Sequence, residues 1–163
     1  MRYCIVLGLT LVIGVLDQIC KWAVTASLAL HEGVPITSFF NLVHVRNYGA
    51  AFGFLNDPSL SWQTWLFAGA AVLAAVLILW LTHKAAAHEW LLFTALGCIL
   101  GGAVGNLVDR LRLGAVVDFL DFHYAGMHWP AFNVADMAIC LGAGLTILVL
   151  LRPVGGQKAP EIQ

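Results

Sequence analysis

An apolar segment that carries one carboxylate begins at Phe132-Asn133-Val134-Ala135-Asp136 (residues 132–136) and continues to Leu151. Its length is close to the roughly 20 residues that an α-helix needs to cross a bilayer. Asn133 is a preferred N-cap residue, and a carboxylate three residues later complements the helix dipole. The segment therefore predicts a membrane helix from Val134 to Leu151 with Asp136 in its first turn, near the membrane surface.

The rest of the chain contains three more apolar stretches of membrane length, from Tyr3 to about Ala26, from Trp62 to Thr82 and from Trp90 to Val108. Of the 163 residues, 61% are hydrophobic and only 10% are charged, whereas soluble domains carry about 25% charged residues. The mean hydropathy is +0.87. We therefore predict an all-α membrane protein: one domain over residues 1–152 with four transmembrane helices, followed by a flexible tail over residues 153–163.

The basic residues predict the orientation of these four spans. Both termini would lie on the side that holds Arg2, Lys84, Arg152 and Lys158, while Arg46, Arg110 and Arg112 would lie on the other side. Because four basic residues lie on the side of the termini and three on the other side, the distribution favours cytoplasmic termini. The long connections, 27–61 and 109–133, would then face the periplasm, and the first of them is the one region where we expect strands, as a small β or irregular element. A net charge of -1 offers no basic field for nucleic acid.

A second carboxylate, Asp118, lies in Val116-Val117-Asp118-Phe119 among apolar residues that gain nothing from it. The 17 residues between Asp118 and Asp136 are enough for the chain to fold back and bring them together. Carboxylates near hydrocarbon are costly and are usually functional. On this segment alone, Asp136 is also explained as a helix cap, so the pair rests on the position of Asp118.

Two adjacent carboxylates share one proton, because both cannot ionise easily. The ionised carboxylate would take a proton from the water that attacks an amide carbonyl, and the protonated one would hydrogen-bond that carbonyl and help protonate the leaving nitrogen. The helix N-terminus favours the charged form of Asp136. We therefore expect Asp118 to hold the shared proton more often.

Two further pairs of polar residues are spaced i, i+4 and so share a helix face. Asp17 and Lys21 interrupt the first span, and Asn106 and Arg110 stand at the end of the third. A charge at mid-membrane costs roughly 2.5–3.5 kcal/mol, so we expect Asp17 and Lys21 to pair inside the bundle. Each pair has a structural interpretation: an ion pair for Asp17 and Lys21, and helix-end capping for Asn106 and Arg110. Each also has a functional interpretation, which is that the pair orients site residues or substrate.

Five segments in order resemble the lipoprotein signal peptidase (signal peptidase II) family. They are Asp17-Gln18-Ile19-Cys20-Lys21, Val45-Arg46-Asn47-Tyr48-Gly49-Ala50-Ala51-Phe52, Gly105-Asn106-Leu107-Val108-Asp109-Arg110, Val116-Val117-Asp118-Phe119 and Phe132-Asn133-Val134-Ala135-Asp136. In this chain Cys20 stands where the family usually has Ser or Thr, which puts at most a supporting hydrogen bond in doubt.

The resemblance implies a membrane-embedded aspartyl endopeptidase of the bacterial inner membrane. It would remove the signal peptide from diacylglyceryl-modified prolipoproteins, cutting just before the lipidated cysteine, with its site toward the periplasmic face. By the same resemblance, Asp118 and Asp136 match the catalytic pair, Asn47, Asn106, Arg110 and Asn133 match polar positions that line the site, and Asp17 and Lys21 match the pair of the first span.

The expected partners are the lipid-modified signal peptide of a prolipoprotein and membrane lipids, and we expect a monomer without cofactor or metal. The apolar segment Tyr48–Phe54 could clamp the substrate from above. Two other functions would use the same residues. A proton-coupled transporter or channel subunit would use the carboxylates as a relay, although relays spread them through the membrane depth. A non-catalytic assembly factor would tolerate Asp118→Asn.

Overall fold

A computed structural model of the chain describes residues 1–49, 54–57, 59–60 and 62–151. Four helices form its body: α1 (Arg2–Ser27), α2 (Trp62–Lys84), α3 (Trp90–Leu113) and α4 (Val134–Leu150). Four strands lie between them: β1 (Gly33–Thr37), β2 (Phe40–Asn47), β3 (Val116–Tyr124) and β4 (Met127–His128). The predicted tail, residues 153–163, and residues 50–53 of the predicted clamp lie outside the described residues.

Helices α1, α2 and α3 are each long and apolar enough to cross a membrane, and α4 is an apolar helix of 17 residues. Large apolar side chains cover the outer surface of these helices. Leu11 is 67% exposed, Trp65 71% and Leu150 77%. Such a surface is unfavourable in water and is what a helix presents to lipid. The chain is therefore a membrane protein.

Helix α3 lies at the centre and packs against α1 and α4, and also against α2. Glycines allow this close approach. A Cβ at Gly97 would lie 3.0 Å from the Cβ of Leu9 on α1, and a Cβ at Gly101 would lie 2.8 Å from the Cβ of Ile13. Small residues at helix contacts are typical of membrane bundles, where close packing replaces the hydrophobic effect.

The end of α3 differs from the sequence prediction. The predicted span stopped at Val108, but the helix continues to Leu113 and ends at Gly114, which has a left-handed φ of 72° and donates its N–H to the carbonyl of Arg110. Glycine is the usual residue at this position because it has no Cβ to clash. Asp109 and Arg110 therefore belong to the helix, and their directions are fixed by it.

The strands form one antiparallel sheet in the order β1-β2-β3-β4. Because β3 and β4 lie in the second long connection, the prediction that only the first connection holds strands is wrong. β3 lacks the polar–apolar alternation that usually marks a strand, since Val116, Val117, Asp118 and Phe119 are all buried. A strand covered on both faces gives a continuous apolar run instead.

The sheet lies at the C-terminal end of α1, where Phe119 packs with Val24 and Leu28. An isolated antiparallel bridge pairs Leu120 of β3 with Phe132, one residue before the cap of α4. This bridge brings the start of α4 beside β3. The second connection thus folds back on itself, and it places the first turn of α4 next to Asp118.

Candidate active site

One buried amide connects the two predicted carboxylates. Asn133 is fully buried, and its Nδ2 donates to Oδ1 of Asp118 at 2.7 Å. Asn133 is also the N-cap of α4 and forms a capping box with Asp136: its backbone N–H donates to Oδ2 of Asp136 at 3.2 Å, and its Oδ1 accepts from the backbone N–H of Asp136 at 3.0 Å. Asn133 therefore caps the helix and also connects the two carboxylates.

The second oxygen of Asp136 is held by another amide. Asn106 of α3 donates from Nδ2 to Oδ1 of Asp136 at 2.8 Å. The amide orientation of Asn106 is set by Lys21, whose ammonium donates to Oδ1 of Asn106 at 3.0 Å. Because that oxygen is occupied, the amide nitrogen of Asn106 points to the carboxylate.

Asn47 of β2 supplies a second donor to Asp118. Its Oδ1 accepts from the backbone N–H of Gly49 at 3.0 Å, which leaves its nitrogen for the carboxylate. The register of the sheet explains the contact, since Val45 pairs with Asp118 and Asn47 pairs with Val116, two residues away on the same face. Three asparagines thus present amide nitrogens to the two carboxylates.

Both carboxylates border a cleft of about 910 Å³. The described lining includes the polar residues Arg46, Asn47, Asn56, Asn106, Arg110, Asp118 and Asp136, and the apolar residues Ala71, Ala103, Phe132, Ile139 and Cys140. The cleft joins the sheet to helices α2, α3 and α4. Its polar end lies at the carboxylates, and its apolar end lies within the helices, so it can hold a ligand that is part peptide and part lipid.

The surroundings of Asp118 favour its protonated form. Burial, and then the negative charge of Asp136, raises the pKa of Asp118 from 3.8 to about 7, although hydrogen bonds from Asn47 and Asn133 oppose the shift. Asp118 is only 2% exposed. Near neutral pH the pair can therefore hold a single proton, the state that one acid and one base require.

Behind the carboxylates lies a buried charged cluster. The ammonium of Lys21 is 2.7 Å from Oδ2 of Asp17 and 2.9 Å from Oδ2 of Asp109. The predicted pairing of Asp17 with Lys21 inside the bundle is confirmed. Gln18 adds a donor, with its Nε2 at 2.9 Å from Oδ1 of Asp109. The cluster thus contains two carboxylates and one ammonium, and the amide of Gln18 stabilises part of the excess negative charge.

Comparison with known proteins decides the family. Residues 9–152 match the family model described as Signal peptidase (SPase) II. The chain belongs to the signal peptidase II family. Members of this family are proteases that process lipoproteins.

Individual relatives and solved structures agree with the family model. The lipoprotein signal peptidase of Nitratidesulfovibrio vulgaris (strain DP4) is 53% identical over 162 residues, covering 99% of this chain and 95% of the relative. That of Ralstonia nicotianae (strain ATCC BAA-1114 / GMI1000) is 52% identical, covering 91% of this chain and 84% of the relative. A bacterial membrane enzyme solved by the in meso method at 2.3 Å resolution superimposes with a TM-score of 0.82 at 26% identity, covering 96% and 93% of the two chains.

In this signal peptidase II fold, Arg110 lies between the cleft and the first long connection, residues 27–61. Its guanidinium donates to the carbonyl of Gly49 at 2.9 Å and lies 4.8 Å above the ring of Phe67. Both Asp136 and Asp118 lie close enough to interact with its charge. Arg110 therefore anchors the chain just before residues 50–53 and adds a positive charge beside the carboxylates.

The structure brings the predicted site residues together in two layers. Those that border the cleft are Asn47, Asn106, Arg110, Asp118 and Asp136. Asn133, Asp17 and Lys21 are buried behind them and are not among the described residues that line the cleft. These three can support the carboxylates, but they do not offer a surface to a substrate.

Sequence reasoning missed the role of Asp109. Its Oδ2 accepts from the backbone N–H of Val117 at 3.0 Å and so ties α3 to β3. A signal was present: Asp109 continues the four-residue spacing of Gly97, Gly101 and Gly105, the face of α3 that packs on α1. A carboxylate on that buried face must find a partner, and Lys21 of α1 provides it.

Proposed function

We propose that this chain is an aspartyl endopeptidase that removes the signal peptide from diacylglyceryl-modified prolipoproteins, cutting just before the lipidated cysteine. The observation that carries the proposal is the attachment of Asp118 and Asp136 to the same buried Asn133, at the edge of one cleft. Membership of the signal peptidase II family supports the reaction and the substrate class. The aspartyl mechanism is inferred from the geometry.

Asp136 acts as the general base. It accepts hydrogen bonds from Asn106 and from the backbone of Asn133, and it lies in the first turn of α4, where the helix dipole favours a negative charge. Asp118 acts as the general acid, because burial and the neighbouring charge raise its pKa to about 7. The environments of the two carboxylates thus differ, as an acid and a base require.

The reaction is a hydrolysis of one amide bond. Asp136 removes a proton from water, and the water oxygen attacks the carbonyl carbon of the residue before the cysteine. The proton of Asp118 is hydrogen-bonded to the carbonyl oxygen and stabilises the tetrahedral intermediate. The C–N bond then breaks as the proton that Asp136 took from the water passes to the leaving nitrogen of the lipidated cysteine, and the pair returns to its state with one shared proton.

The shape of the cleft supports a substrate that arrives through the lipid. Ala71, Ala103 and Ile139 come from three different helices and form the apolar end of the cleft. Helix α2 packs mainly against α3, so the space between α2 and α4 can admit a ligand from the side. The peptide would lie at the carboxylates, with the acyl chains remaining beside the helices in the bilayer.

The proposed topology is a single domain over residues 1–152 with four spans, α4 being the fourth. Both termini would be cytoplasmic and the site periplasmic, in the inner membrane of a bacterium, with the chain acting as a monomer. The fold supports a site on the side opposite the two termini, because the sheet, the C-terminal end of α1 and the start of α4 all lie at the same end of the bundle as the carboxylates.

The proposed substrate is tested with purified protein and two forms of one prolipoprotein, with and without the diacylglyceryl group. We expect cleavage of the lipidated form only, with mass spectrometry placing the new N-terminus at the lipidated cysteine. A matched substrate in which serine replaces that cysteine, and so cannot be lipidated, is the control. Equal cleavage of all three substrates, or a cut elsewhere, would contradict the proposed specificity.

A further inference from the structure

Each active-site aspartate follows a residue whose backbone N–H is bonded to a buried carboxylate. Asp17 of α1 accepts at Oδ1 from the backbone N–H of Ala135, at 2.9 Å, and Ala135 precedes Asp136. Asp109 of α3 accepts at Oδ2 from the backbone N–H of Val117, at 3.0 Å, and Val117 precedes Asp118. The two catalytic aspartates are therefore held in the same manner, although one begins a helix and the other lies in a strand.

Lys21 joins these two attachments. Its ammonium pairs with Asp17 at 2.7 Å and with Asp109 at 2.9 Å. It also donates to Oδ1 of Asn106 at 3.0 Å, and Asn106 donates in turn to Asp136. An ammonium has three protons to donate. All three partners of Lys21 lead, through one further residue at most, to the active-site pair.

We propose that Lys21 is a positioning residue that sets the separation and direction of the two active-site carboxylates. This inference rests on the proposed aspartyl mechanism. A merely stabilising role does not explain the cluster well, because buried ion pairs can often be replaced by apolar residues of similar volume without loss of stability. Lys21 is 3% exposed and is not among the described residues that line the cleft, so it acts without touching the substrate.

The backbone of α3 is shaped to admit this cluster. A Cβ at Gly105 would lie 2.6 Å from Oδ2 of Asp17, the oxygen that pairs with Lys21. Any larger residue at position 105 would therefore push the Asp17 carboxylate away from its place. Gly105 lies one residue before Asn106, so the close approach and the amide contact are made by adjacent residues.

The test is the cleavage rate of Lys21→Met, which removes the ammonium but keeps an unbranched apolar chain. Misplacing catalytic groups by about 1 Å can cost about 100-fold in rate, so we expect kcat to fall by about that factor. We expect KM to stay nearly unchanged, because the cleft itself is not altered. Lys84→Met makes the same change on the exposed end of α2 and should leave kcat and KM as they are.

Folding is measured separately, by thermal unfolding in detergent, and a buried control accompanies it. Thr82→Val removes a buried hydroxyl that bonds the carbonyl of Ile78, remote from the cluster, and it should lower stability without lowering kcat. If Lys21→Met does not fold, the inference is tested instead by the kcat of Asp109→Asn. It keeps an oxygen for the N–H of Val117 but loses the ion pair, so kcat should fall less, by about 10-fold.

Three outcomes are informative: two would overturn this inference, and the third would overturn the proposed function. If Asp118→Asn and Asp136→Asn are inactive while Lys21→Met or Asp109→Asn is folded and fully active, Lys21 does not position the pair. A rise in KM with unchanged kcat would overturn the inference as well. If Asp118→Asn or Asp136→Asn retains full activity, the aspartyl mechanism itself is wrong, whatever Lys21 does.

Discussion

Asn133 and Asp136 cap each other at the start of α4, with their reciprocal backbone bonds at 3.0 and 3.2 Å. The amide nitrogen of Asn133, which the cap does not need, donates to Asp118 at 2.7 Å. One residue thus performs two tasks, starting the helix and orienting Asp118, the proposed acid. The two tasks use different atoms, so different substitutions can separate them.

Asn133→Ser is expected to keep the fold and lose activity. Serine is an N-cap residue as good as asparagine, so the stability that the cap contributes should be kept. Its hydroxyl is too short to keep the bond to Asp118 while it caps the helix, so kcat should fall by about 10–100-fold.

Asn133→Ala is the matched control, because it removes both functions. It should unfold at a lower temperature than Asn133→Ser, by an amount that corresponds to about 1 kcal/mol for the lost cap. Thermal unfolding and cleavage rate are measured on both variants. Full activity in Asn133→Ser would show that the amide does not orient Asp118.

The pH dependence of cleavage should have its alkaline limb near neutrality. Because the pKa of Asp118 is about 7, the shared proton is lost above that pH and the general acid disappears. We expect kcat/KM to fall tenfold for each further pH unit, as for loss of one proton from the free enzyme. Rates measured with lipidated substrate from pH 5 to pH 9 test this. A profile that stays flat to pH 9 would rule out Asp118 as the acid.

Asp118→Asn should stabilise the protein at alkaline pH. The pKa of Asp118 is raised from 3.8 to about 7 in the folded state, so the folded state binds the proton more tightly than the unfolded state does. Its stability therefore declines as the pH rises from about 4 to about 7, and it is lowest above 7. A neutral amide removes this loss, which amounts to roughly 4 kcal/mol.

The measurement is thermal unfolding of Asp118→Asn and the unmodified protein at pH 5 and pH 8. The gain in unfolding temperature should be larger at pH 8, since Asp118 is still mostly protonated at pH 5. Asp57→Asn is the control for this difference between the two pH values. Asp57 is fully exposed and hydrogen bonds from Ser59 lower its pKa, so its replacement should give no larger gain at pH 8. An equal effect of Asp118→Asn at both pH values would contradict the burial argument.

The composition and the apolar runs were sufficient to predict a membrane protein and the approximate limits of its helices, because lipid demands long apolar segments. The convergence of Asp118 with Asp136 could be predicted for a similar reason, since an isolated carboxylate is expensive beside hydrocarbon. The pairing of Asp17 with Lys21 followed from helix periodicity. Each of these inferences depends on a local pattern together with the cost of burial.

What could not be predicted depends on contacts between distant segments. β3 has the composition of a buried segment, and only its pairing with β2 and Phe132 shows that it is a strand. The spacing of Asp109 with the glycines indicated a buried carboxylate that needs a partner, but not that Val117 would be one, because that contact requires the turn at Gly114. The orientation of the asparagine amides likewise depends on donors from other elements.

The most direct measurement is the cleavage of a diacylglyceryl-modified prolipoprotein by purified, folded Asp118→Asn and Asp136→Asn beside the unmodified protein. Loss of either the acid or the base should lower kcat by at least about 100-fold, with substrate still bound. We expect this loss in both variants at every pH tested. Full activity in either folded variant would show that the two carboxylates do not carry out the hydrolysis.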